Sequence, residues 1–223
     1  MMKAVQYLLD LFYPPKCVFC GKLLQARETE ICAACRRELP EIRESIKRGE
    51  FFRECCSVFY YEGNVRDSVR RFKFSGMEFY ARCYGRLLAM KLLSEQVEFD
   101  LLTWVPVSKK RRRERGYDHA RLLAEATASE LGEFCTPTLT KTRHNQAQSS
   151  LHSAAERKAN VLGAYKCIED VAGKRILLID DIITTGATLS ECSRVLLTAG
   201  AKSVTCGTLA ATRASDGQNH TSS

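Results

Sequence analysis

Between Arg175 and Leu189 the chain passes from unbroken hydrophobicity, through two acids, into a small polar turn that opens a helical pattern. Ile176 to Ile179 are apolar without alternation, the pattern of a parallel strand covered on both faces. Asp180 and Asp181 stand at its carboxyl end, and Thr184, Thr185, Gly186, Ala187 and Thr188 lead into a helix predicted over residues 189–198 and capped by Gly200. Upstream, Val65, Val69 and Phe72 recur at helical spacing before Gly76. Leu87, Leu88, Leu92 and Leu93 mark the buried side of a helix over 79–96, in which the lone Gly85 is tolerable. A further helix is predicted over 119–131, opened by Asp118 as its cap and ended by Gly132. Strands are expected at 57–61, 99–107 and 204–210, with Pro106 at the exit of the second. Order resumes at 161–165 after a polar stretch. Strands alternating with helices predict an α/β domain, a mostly parallel sheet flanked by helices.

Three segments fall outside this alternation. Residues 1–13 carry Val5, Leu8, Leu9 and Phe12 on one side of a short amphipathic helix, stopped by Pro14-Pro15. Residues 141–160 are polar and rich in small side chains, which suits a loop that closes over a substrate and runs into a helix; a plain surface loop fits the composition equally. The end of the chain is polar throughout and reads as disordered. The expected division is an N-terminal module at 1–56, the α/β domain at 57–213 and a tail at 214–223.

The length of 223 residues accommodates one full domain and an appendage. No run approaches the roughly 18 apolar residues of a membrane span, and no cleavage pattern follows the first helix, so a cytoplasmic protein is expected. A formal charge of +8 and a pI near 9.0 direct attention to polyanionic partners. That charge is gathered in two places. Arg66, Arg70, Arg71 and Lys73 form a loose block, and Lys109, Lys110, Arg111, Arg112, Arg113 and Arg115 a dense one in the loop after the strand at 99–107. The dense block suits a clamp for pyrophosphate or a track for the phosphates of nucleic acid, and a solvated face is the bland alternative.

Cysteine usage adds a metal. Cys17, Cys20, Cys32 and Cys35 form two C-x-x-C units whose four thiolates match tetrahedral Zn²⁺ with no open coordination position, hence a structural site. A redox pair would need one such unit on a strand-to-helix turn, and an iron–sulfur cluster is the weaker alternative. Cys55 and Cys56 are adjacent and read as core, as do Cys83, Cys135, Cys167, Cys192 and Cys206.

The turn at Thr184 to Thr188 can aim backbone N–H groups and hydroxyls at one anion, assisted by the helix dipole. Asp180 and Asp181 beside it would repel a bare anion, so they accept hydrogen bonds from sugar hydroxyls or touch a hydrated divalent metal. The combination calls for a phosphorylated sugar. Neither G-x-x-x-x-G-K-[ST] nor G-x-G-x-x-G occurs. His119 has no evident metal partner, and a surface or capping role is expected of it.

At Arg175 to Leu189 the chain resembles the type I phosphoribosyltransferases: a hydrophobic strand, two acids and a Thr-Thr-Gly-x-Thr loop. Over Cys17 to Arg213 it resembles the ComF family, competence-associated proteins joining a zinc-binding segment to a phosphoribosyltransferase-type domain. That likeness is carried by the cysteine pairs, Tyr61-x-Gly63, Phe72-Lys73-Phe74, Val105-Pro106-Val107, Arg113-x-Arg115-Gly116-Tyr117, Gln148-x-x-Leu151, Arg157-x-x-Asn160 and the acidic Thr-rich signature. Asp118 departs from the Asn more usual in the family.

The resemblance implies that Asp180 and Asp181 hold the ribose hydroxyls of phosphoribosyl pyrophosphate and Thr184, Thr185, Gly186, Ala187 and Thr188 its 5′-phosphate. Lys109, Lys110 and Arg143 would take the pyrophosphate, with Mg²⁺ carried by the ligand. It also implies a role in DNA uptake, with single-stranded DNA on Lys109 to Arg113 and Arg115, and partners in the competence machinery. Three readings stay open: a phosphoribosyltransferase of nucleotide salvage, a non-catalytic binder, and a scaffold whose zinc segment docks proteins. No base-recognition pocket is legible.

Overall fold

A computed structural model describes residues 14–45, 50–142 and 154–213. The expected leading helix, Arg143, the stretch through Leu151 and the tail lie outside the described residues.

In chain order the elements are α1 (Ala33–Glu38), β1 (Cys55–Tyr60), α2 (Gly63–Phe74), α3 (Tyr80–Ser94), β2 (Leu101–Trp104), α4 (Lys109–Arg115), α5 (His119–Leu131), β3 (Leu139–Lys141), α6 (Ala154–Val161), β4 (Tyr165–Cys167), β5 (Arg175–Ile183), α7 (Ala187–Thr198) and β6 (Ser203–Ala211). Four strands make one parallel sheet in the order β1-β6-β5-β2. The β5 run of Ile176 to Ile179 is buried throughout, as a strand covered on both faces must be. Alternate residues serve different layers. Leu177 and Ile179 join Val69, Phe72, Tyr84, Leu88 and Leu123 of α2, α3 and α5, while Ile176 and Leu178 join Leu189, Cys192 and Leu196 of α7. Gly85 is what lets α3 lie on α5: a Cβ there would stand 2.5 Å from Ala126 Cβ and 2.6 Å from its carbonyl carbon.

The short antiparallel pair β3-β4 stands apart from the main sheet and is tied to it by Thr138, whose Oγ1 donates to Thr103 Oγ1 at 2.8 Å. Among the described residues no helix is long and apolar enough to cross a membrane.

The N-terminal four-cysteine segment shares the domain's core. Phe19, between the first two cysteines, is fully buried with its ring 5.4 Å edge-on from Phe59 of β1 and 6.0 Å from Tyr84 of α3. Cys32 begins α1 and its Sγ accepts the Cys35 N–H at 3.4 Å.

Several expectations are corrected by the structure. The loop expected at 108–118 contains helix α4, because Ser108 Oγ accepts the Arg111 N–H at 3.3 Å and Gly116 closes the other end in the left-handed region at φ +85°. Between these caps the long-chain residues have good helix propensity. Strand β5 continues past its apolar run to Ile183, since β6 pairs with it as far as Ile183↔Ala211, and both acids therefore sit inside a strand. Strand β1 begins at Cys55, and both adjacent cysteines are buried. The polar stretch runs into helix α6 as expected, whereas β3 was not anticipated.

Candidate functional site

Successive residues of a strand point to opposite faces, so Asp180 and Asp181 diverge. Asp181 is buried against the layer of α2 and α5, where its Oδ2 lies 2.7 Å from Lys73 Nζ and 3.1 Å from His119 Nε2. Asp180 is only partly buried, accepts the Asp181 N–H at 2.8 Å and lies in the field of Lys141, Tyr165 and Cys192 on the other side. Burial, and then the charge of Asp181, push the Asp180 carboxyl up. Asp181 moves the other way: burial opposes its charge, but Lys73 and His119 outweigh that and hold it low.

His119 corrects the surface role expected of it. It is 5% exposed, and burial pushes it down to about 4 although Asp181 opposes that shift, so the ring is neutral at pH 7. Arg115 Nη1 lies 3.1 Å from Nδ1 and 3.4 Å from Nε2 of the ring, and Nε2 is in turn 3.1 Å from Asp181 Oδ2. Lys73, Asp181, His119 and Arg115 thus form one chain of contacts drawn from four elements. Arg115 also lies over the exposed Phe74 ring at 4.7 Å. Asp118 caps α5 as expected, its Oδ1 accepting the Arg121 N–H at 3.1 Å, and its Oδ2 accepts the Val107 N–H at 3.2 Å, fixing the exit of β2.

Past β5, Gly186 adopts φ +78° at the start of α7, turning the loop so that Thr184 to Thr188 face a cleft of about 550 Å³. Both acids line this cleft. So do the cations Arg66, Arg70, Lys73, Arg111, Arg115 and Lys141, which outnumber them. Asn160, Val161 and Tyr165 close one side, and Lys141 Nζ donates to Tyr165 Oη at 3.1 Å. Of the dense basic block, only Arg111 and Arg115 turn into the cleft; Lys109, Lys110, Arg112 and Arg113 are exposed on the outer side of α4. Helix formation makes that division, since a seven-residue helix cannot present every side chain to one side. The loose block on α2 is the larger surprise, supplying Arg66, Arg70 and Lys73 from one helical stripe. Their four-then-three spacing is legible in the sequence; Lys141 and Tyr165 carry no comparable signal.

The four cysteine sulfurs at Cys17, Cys20, Cys32 and Cys35 all lie within 4.8 Å of one another, and Cys20 Sγ is 3.7 Å from Cys32 Sγ. Tetrahedral Zn²⁺ with bonds of about 2.3 Å places its sulfurs about 3.8 Å apart, so the set fits a structural zinc. Donors already face the sulfurs: Cys32 N–H to Cys17 Sγ at 3.4 Å and Asn64 Nδ2 to Cys35 Sγ at 3.9 Å.

Residues 118–221 match the phosphoribosyl transferase domain family, and residues 8–46 match the double zinc ribbon domain. The DNA utilization protein YhgH of Salmonella typhimurium is 28% identical over 200 residues, covering 84% of this chain and 86% of that protein. Competence protein F of Haemophilus influenzae is 27% identical over 199 residues, covering 85% and 82%. Competence protein ComFC of Streptococcus pneumoniae is 31% identical over 148 residues, covering 66% and 64%. Among solved structures, the glutamine phosphoribosylpyrophosphate amidotransferase of B. subtilis aligns with a TM-score of 0.42 and 23% identity, covering 62% of this chain and 30% of that one. The phosphoribosylpyrophosphate synthetase of Mycobacterium smegmatis aligns with a TM-score of 0.38 and 24% identity, covering 57% and 33%. The chain spans about a third or less of the length of these two solved chains.

Proposed function

We propose that this chain, which belongs to the ComF family joining a four-cysteine zinc ribbon to a type I phosphoribosyltransferase-like domain, binds phosphoribosyl pyrophosphate and serves the handling of DNA during competence. The observation that carries the ligand is the cleft at the end of β5, where two acids, a hydroxyl-rich turn and an excess of cations meet. A ligand with a phosphate at one end, a diphosphate at the other and ribose hydroxyls between satisfies all three.

Thr184 to Thr188 and the amino end of α7 receive the 5′-phosphate. Asp180, the acid more open to the cleft, accepts from the ribose hydroxyls, with Asp181 behind it. Arg111, Arg115 and the α2 cations replace Lys109 and Lys110 as the pyrophosphate clamp, because they are the ones that line the cleft. Mg²⁺ bound with the diphosphate would neutralise part of its charge. Departure of pyrophosphate from C1′ would leave positive oxocarbenium character on the ribose and negative charge on the leaving group; Asp180 would face the first and the cation wall the second.

Titration calorimetry tests the ligand. Asp180→Asn is expected to weaken phosphoribosyl pyrophosphate binding about tenfold, as loss of hydrogen bonds to two ribose hydroxyls would require. The same variant is expected to melt higher at pH 7. A carboxyl whose folded pKa is raised stabilises fully only below the unfolded value of about 3.9, and that contribution is lost as pH rises through the folded pKa. An amide cannot ionise and escapes the loss. Equal binding by wild type and Asp180→Asn would sink the assignment. Pyrophosphate release with a panel of bases then separates transferase from binder.

A second ligand is favoured by the exposed Lys109, Lys110, Arg112 and Arg113 on the outer side of α4. Such a row suits the backbone of single-stranded DNA. Neutralising all four is expected to lower the slope of log affinity against log salt by about 3, at roughly 0.7 per phosphate contact. An unchanged slope removes the track.

A further inference from the structure

Helix α2 has two working faces. Asn64, Ser68 and Arg71 follow at helical spacing, and all three reach the ribbon. Asn64 Nδ2 donates to Cys35 Sγ at 3.9 Å, and Ser68 Oγ donates to the Val18 carbonyl at 2.6 Å. Arg71 Nη2 donates to the carbonyls of Val18 at 3.0 Å and Phe19 at 2.6 Å, the two residues between Cys17 and Cys20. Arg66, Arg70 and Lys73 have the same four-then-three spacing, begin about 200° round the helix from the first set, and line the cleft, with Lys73 2.7 Å from Asp181. Phe72, between Arg71 and Lys73, is fully buried, its ring 5.3 Å edge-on from Tyr84 and 6.5 Å from His119.

We propose that Arg71 is a positioning residue that ties the zinc knuckle to the cleft, so that metal occupancy and binding of a phosphorylated ligand are linked through α2. The proposal rests on the phosphoribosyl pyrophosphate reading of the cleft. A planar guanidinium can serve two adjacent carbonyls only while both point the same way. Convergence of the Cys17 and Cys20 sulfurs on one centre would hold the intervening Val18-Phe19 peptides in that attitude, adding to the bonds from Val18 N–H to the Glu30 carbonyl and from Gly21 N–H to the Cys17 carbonyl, each 2.9 Å. When the knuckle loosens, Arg71 and Ser68 lose their acceptors, and α2, wedged in a close-packed core, moves as a unit. Arg66, Arg70 and Lys73 move with it. Linkage is reciprocal: zinc tightens ligand binding, and ligand retards zinc loss by the same factor at equilibrium.

The test uses the full zinc-loaded chain with all four cysteines intact, in wild-type, Arg71→Met and Arg71→Lys forms. Zinc content, phosphoribosyl pyrophosphate affinity by calorimetry, and zinc competition with a chromogenic chelator with and without that ligand are measured. Both variants are expected to retain stoichiometric zinc. Affinity should fall about tenfold in Arg71→Met and less in Arg71→Lys, whose ammonium keeps one carbonyl contact. Ligand should raise the chelator concentration needed to strip wild-type zinc about tenfold and leave Arg71→Met nearly unaffected. Wild-type affinity in a folded, zinc-loaded Arg71→Met chain overturns the proposal, as does a wild-type chain that binds the ligand with no change in zinc retention. Should Arg71→Met melt too early, Arg71→Lys decides in its place: wild-type affinity and a full ligand effect on its zinc retention overturn the proposal. If the wild type binds no phosphoribosyl pyrophosphate, the reading of the cleft has failed as well, which sets that failure apart from loss of the linkage alone.

Discussion

Stripping zinc from the four cysteines is expected to destabilise the entire chain, lowering the melting temperature by at least about 10 °C rather than freeing an N-terminal segment from an intact domain. Three facts give this prediction its size. Phe19 is fully buried between Phe59 and Tyr84, Ser68 and Arg71 donate to the knuckle carbonyls, and the Cys17, Cys32 and Cys35 side chains belong to the same apolar cluster as Val69, Phe72 and Leu88. Without metal, the four thiols crowded within 4.8 Å have no common partner to hold them together. Structural zinc contributes about 10–16 kcal/mol in isolated zinc-finger peptides, comparable to the entire stability of a domain at about 5–15 kcal/mol. Chelator titration followed by circular dichroism, with zinc measured on the same samples, checks the outcome. A chain that loses its metal and melts where it did before would show that packing alone holds the ribbon.

Lys73→Met is expected to cost about 3–5 kcal/mol at pH 7, since it leaves the buried Asp181 carboxylate without its cation. Lys73 and Asp181 side chains are 18% and 6% exposed, so solvent screens the pair little. His119 cannot fill the gap without penalty because burial keeps its imidazole neutral. The pH dependence follows from the direction in which Asp181 is shifted. In the wild type its folded pKa is depressed, so the ion pair's contribution is present above the unfolded value of about 3.9 and is lost as pH falls through the folded pKa. In Lys73→Met the carboxyl takes up a proton at higher pH, and the deficit relative to wild type should shrink as pH is lowered from 7 towards 5. Lys73→Arg, which keeps the charge, should lose much less. Urea unfolding at several pH values measures both; a deficit that does not change with pH would mean that lost packing, not the stranded charge, is the cause.

Asp181 and Lys73 also show where local reasoning stops. Two adjacent acids at a strand end look equivalent in the sequence, and the two-residue period of β5 separates them into a buried anchor and a partly buried group beside the cleft. Lys73 belongs to a basic block whose spacing is visible, but that its stripe faces the cleft depends on Val65, Val69 and Phe72 being buried on another side of α2. His119 follows the Asp118 cap, and capping fixed its place on α5 without revealing that β5 lies beside it. The basic residues at 109–115 were legible as a cluster, whereas the caps at Ser108 and Gly116 wind them into a helix that turns Arg111 and Arg115 inward and leaves Lys109 and Lys110 outside.

What the sequence determined by itself were the features written in contiguous residues: the apolar run of β5, the acids and Thr-rich turn after it, the two cysteine pairs, and the alternation that makes a parallel α/β sheet. Each depends on spacings of a few residues, which backbone geometry converts directly into structure. Only the tertiary structure decided which cations face the cleft, which acid is anchored, and that α2 is gripped by the zinc ribbon on one face while lining the cleft with the other. Those outcomes join residues tens to more than a hundred positions apart, such as Lys73 with Asp181 and Arg71 with Phe19. They are set by how the layers pack on the sheet, and no local pattern encodes that.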